Sequence, residues 1–348
     1  MEQVHEVNGL VFAQANLVGR VPDVMNGGEF TEVPLTQRID PIFGARVRFV
    51  RGAKLQPESK SDISALVAPG GFCPFCPEVV DRFTFPFPVE MVPEGKIRRN
   101  KALVVPNILA YSTYSAVGIY DTTRHFVPIE DFDSALLSDA IGAMVSHAQS
   151  VRRFDPSASY SSINANYLPP SGSSLIHPHL QSSHDYVPLT RQAQLIERAR
   201  LHKSRKGGEI LADLVEAERS TERFIGTIGA VDFLTPWAPG GFREVWAVVR
   251  NCTDIIDLSA ELIGNLSSGL AKILAAYASW SLLSFNFALM GGGPDAEELG
   301  LNPLFRIVAR SNPDPVYRSD VTYFEHLYGE LMVDVTPEET AEQIREFF

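Results

Sequence analysis

Asn166-Tyr167-Leu168-Pro169-Pro170-Ser171-Gly172-Ser173-Ser174-Leu175-Ile176-His177-Pro178-His179-Leu180-Gln181 is the stretch from which the rest of the chain is best read. A small Gly/Ser loop runs into an extended His-x-His-x-Gln segment. In a strand, the two-residue period puts His177, His179 and Gln181 on one side, beside a loop of phosphate size. Neutral imidazole is available near neutral pH, attacks phosphorus, and forms a bond labile enough for a second acceptor to break. One ring nitrogen must meet phosphorus, so the other is expected to be held, often by a backbone carbonyl. Gln181 can donate to a phosphate oxygen but cannot titrate, which favours keeping an intermediate for transfer over hydrolysing it.

Working outward, residues 161–164 read as a strand. Ala135, Leu136, Ala140, Met144 and Val145 form an apolar stripe that predicts a helix over about 132–154. Residues 102–105 and 116–120 read as strands before it. Beyond the His-rich segment, 189–223 is a charged helical region broken at Gly207-Gly208. Strands at 233–235 and 244–249, a helix over about 258–280, and strands at 285–290 and 304–309 then repeat the earlier order. Thr336, Pro337 and Glu339 begin a closing helix with a capping box. The repeated order predicts an internal duplication. The expected fold class is α+β, in two halves that are each an antiparallel sheet with packed helices. The expected domains are an N-terminal arm and first strand (1–60), an N-terminal half with the metal and catalytic motifs (61–190), and a C-terminal half (191–348).

The chain has 348 residues and a net charge of -12, so it can bury two modules but lacks the basic footprint of a nucleic-acid binder. Its first residues show no basic segment followed by an apolar one, and the cytoplasm is expected. The apolar stretch 262–290 is interrupted by Asn265, Lys272 and Asn286, so no membrane partner is expected. Three cysteines do not make a disulfide framework. Cys252 reads as a small buried hydrophobe, whereas Cys73 and Cys76 form a C-x-x-C pair that is redox-active, metal-binding or simply buried. His184 breaks the strand alternation and reads as a surface or supporting residue, and His147 as packed or solvated.

The H-P-H-x-Q run after G-x-S resembles the active-site signature of the galactose-1-phosphate uridylyltransferase branch of the histidine-triad superfamily. The likeness extends through Cys73-Pro74-Phe75-Cys76-Pro77, Val104-Val105-Pro106-Asn107, Asp121-Thr122-Thr123-Arg124-His125-Phe126, Phe242-Arg243-Glu244-Val245-Trp246 and Tyr328-Gly329-Glu330. The resemblance implies two histidine-triad-like halves, with His179 as nucleophile and Gln181 beside it. It places Ser174, Gly172 and Ser173 at the phosphates, Asn166 near the nucleotide, Asn107 at the nucleoside and Glu330 at the sugar. Arg51 and Lys54 fall where the family binds phosphate with basic residues. Cys73, Cys76, His125 and His177 match the family's zinc ligands, and a closed Cys2His2 set holds structural Zn2+, with iron as the other occupant.

The implied reaction is ping-pong transfer of UMP from UDP-glucose to a hexose 1-phosphate, such as galactose 1-phosphate, in a homodimer. Two features depart from the family. Ile307-Val308-Ala309-Arg310 stands where many members carry a second metal-binding His-x-His, and the stretch after Glu330 is short. An ADP-sugar or dinucleoside polyphosphate phosphorylase or adenylyltransferase, and a catalytically weak nucleotide-binding protein, are the alternatives.

Overall fold

The apolar stripe of the first long helical segment forms the helix Ser134–Phe154, capped where Asp133 accepts from the Leu136 amide. Leu137, Ala140, Ile141, Met144, Val145, Ala148 and Val151 are buried on its inner face. Its counterpart is the helix Ala260–Ser279, capped by Ser259, and the two pack against each other. Close approach to the sheet needs glycine in each half, placed on opposite partners. A Cβ on Gly118 of a strand would meet Met144 Sδ at 2.5 Å, and one on Gly269 of the helix would collide with the Phe233 ring.

The structure is a computed structural model that describes residues 2–348 apart from Arg51, Lys54, 57–60 and Tyr317, and apart from the side chains of Glu2 and Asn26. Its strands are β1 (Glu2–Val7), β2 (Leu10–Pro22), β3 (Phe30–Ile39), β4 (Arg46–Val50), β5 (Ile97–Arg99), β6 (Ala102–Pro106), β7 (Tyr114–Ile119), β8 (Tyr160–Tyr167) and β9 (His179–Asp185). The chain continues through β10 (Phe224–Ile228), β11 (Val231–Leu234), β12 (Phe242–Val249), β13 (Phe285–Met290), β14 (Leu304–Ala309) and β15 (Glu330–Val333). The charged region between β9 and β10 forms the helices Thr190–Lys206 and Ile210–Glu218, broken at Gly207 as its composition predicts.

Ten strands make one antiparallel sheet in the order β10-β11-β12-β14-β13-β8-β9-β7-β6-β5. Read inward from each edge, both halves have the same order: three successive strands, then the fifth, then the fourth. The halves meet where β8 pairs with β13, with Asn166 opposite Asn286 and Asn164 opposite Ala288. The duplication read from element order is thus present in the strand pairing, and the fold is α+β in two histidine-triad-like halves. The two long helices cover one face of this sheet. The other face carries His179 and Gln181. No helix among the described residues is long and apolar enough to cross a membrane.

The N-terminal region departs from the expected arm and single strand. It forms four strands, which β15 completes from the far end of the chain as a second sheet, β1-β2-β3-β4-β15. The β2–β3 ribbon outruns β1 and leaves Leu17, Val18, Val21 and Phe30 exposed. A ribbon with apolar and polar residues on both faces has no clean alternation, so its strands carry little periodic signal. Arg38 of β3 ties this sheet to the C-terminal half. It stacks 3.9 Å from the Trp237 ring centre and pairs with Glu338 at 2.9 Å, while Arg223 pairs with Glu338 at 2.8 Å and with Glu218 at 2.7 Å.

Candidate active site and metal centre

Four side chains that are distant in sequence converge beside β9. The ligand atoms of Cys73, Cys76, His125 and His177 all lie within 4.8 Å of one another. Cys76 Sγ is 3.1 Å from His125 Nδ1, and Cys73 Sγ is 3.8 Å from His177 Nδ1. Tetrahedral zinc with its usual bond lengths spaces its ligand atoms about 3.3–3.8 Å apart, so the set needs only a small contraction to close on a metal. His177 Nε2 lies 3.0 Å from the Asp121 carbonyl, which makes Nε2 the N–H donor and turns the lone pair of Nδ1 to the thiols. Burial pushes the Cys76 thiol up to about 11 and His177 down to about 4. Two thiols and two imidazoles brought together in this way suit a divalent cation that draws off the thiol protons. The C-x-x-C pair sits in a turn without the βαβ setting of a redox motif, with the Cys76 amide donating to the Cys73 carbonyl.

The strand proper begins at His179, so the alternation expected from His177 onward holds only for His179 and Gln181. Pro178 lies between the two histidines and His177 precedes the strand, its ring facing the thiols. Phe75 packs edge-on against both rings, 5.9 Å from His177 and 5.6 Å from His179. His179 is 8% exposed, and burial holds it below the ordinary histidine range despite its hydrogen bond, so it is neutral near pH 7. Its Nδ1 is 3.0 Å from the His177 carbonyl, which accepts the N–H of that nitrogen and leaves the lone pair on Nε2. The expected backbone partner therefore exists, and it belongs to a candidate metal ligand.

The loop before β9 is fastened from within. Leu168 and Gly172 both have positive φ, and the Ser171 and Ser173 hydroxyls donate to the carbonyls of Leu168 and Leu175. Ser173 thus spends its proton on the loop, while Ser174 is exposed. Asn166 lies across from His179, one register step beyond the Ala165–Leu180 pair. Its Oδ1 accepts from Asn286 Nδ2 at 2.6 Å, and Arg310 Nη1 donates to Asn286 Oδ1 at 2.5 Å. Sequence reasoning missed both partners. Asn286 registered only as a break in an apolar run, and Arg310 only as part of the replacement for a second metal motif.

On the same face, beyond Asn164 and Asn286, a cleft of about 440 Å³ is lined by Arg191, Glu244, Met290 and Arg306. Arg306 pairs with the fully buried Glu244. Asn107 directly follows β6, two strands from β9. Its Oδ1 accepts from the Leu109 amide, and its buried Nδ2 has no partner among the described residues. Glu330 stands in the other sheet, held by Arg48 and Gln37 at 2.5 Å each, and no hydrogen bond among the described residues joins it to the His179 group. Arg51 and Lys54 lie outside the described residues. His184 is fully buried, with Nδ1 2.9 Å from Ser161 Oγ and its ring against His147, so neither histidine is at the surface.

A buried neutral histidine on an open sheet face, a Gly/Ser loop at its side and a Cys2His2 cluster behind it fit a two-half histidine-triad fold. Solved structures agree on the fold. ADP-glucose phosphorylase from Arabidopsis thaliana, with bound ADP-glucose, matches with a TM-score of 0.71 and 18% identity over 90% of this chain and 98% of that one. A uridylyltransferase mutant matches with a TM-score of 0.65 and 19% identity over 89% of this chain and 98% of that one. The fold is that of the galactose-1-phosphate uridylyltransferase-like proteins. No family model matches the chain. An uncharacterized protein of Archaeoglobus fulgidus is 30% identical over 330 residues, covering 94% of this chain and 97% of its own, and the chain belongs to one family with it.

Proposed function

We propose that the protein is a nucleotidyltransferase acting through a nucleotidyl-histidine, with UDP-glucose as donor and a hexose 1-phosphate such as galactose 1-phosphate as acceptor. The observation that carries this reading is the tether of His179 Nδ1 to the His177 carbonyl beside the Gly172–Ser174 loop. Nε2 attacks the α-phosphorus, the bond from that phosphorus to the bridging oxygen breaks, and the sugar 1-phosphate leaves with that oxygen and its charge. A phosphate oxygen of the acceptor then attacks the same phosphorus, and the bond to Nε2 breaks. Gln181, Asn166, Ser174 and the loop amides donate to the phosphate oxygens, where charge is highest. Asn107 serves the nucleoside, and Glu330 serves the sugar in a homodimer completed by a second copy. Cys73, Cys76, His125 and His177 would hold a structural Zn2+, which pins His177 and so the strand that bears His179. Reduced thiols fit a cytoplasmic setting.

The likeness to ADP-glucose phosphorylase supports a second reading with the same first step, in which ADP-glucose is the donor and inorganic phosphate the acceptor. Intact-protein mass spectrometry after separate mixing with UDP-glucose, UDP-galactose, ADP-glucose and GDP-sugars tests both, with His179→Ala as control. A nucleoside monophosphate adduct lost in the control is expected, and the donor that forms it names the base. Binding of these nucleotides without any adduct would replace both readings with a nucleotide-binding protein.

A further inference from the structure

The two ends of the Asn166 amide offer a phosphate opposite things: Nδ2 donates, whereas Oδ1 repels. Which end faces the Gly/Ser loop is decided by the other half of the molecule. Asn286 Nδ2 donates across the seam to Asn166 Oδ1 at 2.6 Å and to the Ser171 carbonyl at 2.9 Å. Arg310 Nη1 donates to Asn286 Oδ1, and Arg310 is itself anchored by Asp320. A flipped Asn286 would set its oxygen against three acceptors, Asn166 Oδ1 and the carbonyls of Ser171 and Ala165, and its NH2 against a guanidinium. The network therefore has one consistent assignment. In it, Asn166 Nδ2 is turned to the loop, 3.9 Å from where a Cβ on Gly172 would stand, and it has no acceptor among the described residues.

We propose that Asn286 and Arg310 are positioning residues of the C-terminal half, which act through Asn166 to hold an amide donor on the phosphate bound between the Gly172–Ser174 loop and His179. This rests on the nucleotidyl-transfer reading and adds to it a role for the second half. Neither residue reaches the phosphate. Their effect is to remove the amide orientation that would place an oxygen lone pair against it.

Asn286→Asp tests this, because it is isosteric and keeps the bond to Arg310 but offers Asn166 only acceptors. Asn166 then turns Nδ2 to the new carboxylate and presents Oδ1 to the phosphate. Calorimetry with UDP and ADP is expected to show Asn286→Asp weakening binding about tenfold or more, with Asn286→Ala affected less. A merely structural role predicts that binding falls only in step with the melting temperature, which is measured for both variants. The single-turnover rate of His179 labelling by UDP-glucose or ADP-glucose should fall in the same order. In an Asn166→Ala background, Asn286→Asp should cost less than about threefold, because its effect runs through that amide and not through its charge. Equal binding by wild type and Asn286→Asp, or an undiminished penalty in the Asn166→Ala background, overturns the proposal. If neither donor labels the wild type while diphosphate binding keeps the predicted order, the transfer reading falls and the positioning stands. If neither UDP nor ADP binds the wild type, both fall.

Discussion

The Nδ1 of His179 lies 3.0 Å from the carbonyl oxygen of His177, and the His177 ring closes a group of four metal-binding side chains. The atom that sets the tautomer of the candidate nucleophile thus belongs to a residue a metal would hold in place. Metal loss and loss of labelling should therefore go together. His125→Ala and Cys76→Ser remove a ligand without touching the β9 backbone. Elemental analysis should find bound metal in the wild type and little in either variant, with labelling of His179 reduced in parallel. A metal-free variant that labels at the wild-type rate would separate the cluster from the site.

Gln181 shares the face of His179 and has no titratable proton to lend to water. Gln181→His places an acid–base group there, and general acid–base assistance is worth about 10²–10⁴ in rate. The adduct formed without acceptor should decay at least about 10²-fold faster in Gln181→His, measured by mass spectrometry after removal of donor. Unchanged decay would show that the amide is not what protects the intermediate.

Glu338 holds two arginines that are mostly buried, Arg38 at 2.9 Å and Arg223 at 2.8 Å. Burial alone would raise the Glu338 carboxyl, but the two cations outweigh it and hold it below the usual range. Removing one partner of such a network leaves uncompensated buried charge and costs about 3–5 kcal/mol. Glu338→Ala should lower the denaturant midpoint accordingly, and Glu338→Gln should lie between it and the wild type. A change in Glu338→Ala below about 1 kcal/mol would mean that water reaches the network.

Asp40 is buried, with Oδ1 accepting from the amides of Ile42 and Phe43, and burial pushes its carboxyl up to about 6 although Arg306 pulls it down. Because the folded value lies above the unfolded one, this group favours the fold fully below about pH 4. That advantage is lost as pH rises through about 6, and it amounts to about 3 kcal/mol. An asparagine at this position would keep the acceptor without the charge. The stability of Asp40→Asn relative to wild type should therefore rise by up to about 3 kcal/mol between pH 4 and pH 7, read by urea unfolding at each pH. A pH-independent difference would place the titration elsewhere.

Residue pattern alone determined the two long helices and most strands of the ten-stranded sheet, whereas the four residues that cluster and the proposal of His179 as nucleophile came from motifs that resemble a known family. Those are properties of segments, and a segment's periodicity records which of its faces is buried. Tertiary structure decided what depends on which segments become neighbours. The pairing of β8 with β13 brings Asn286 to Asn166, and the parallel pairing of β15 with β4 puts Glu330 in another sheet. The chain path through Pro178 turns the His177 carbonyl to His179, and no side-chain pattern encodes a carbonyl's direction. The same holds for His184, whose break in the alternation is clear in sequence but whose burial against His147 depends on a helix packed from elsewhere in the chain. Strand partners are chosen by non-local contacts, and their register, not the local sequence, sets which polar groups meet.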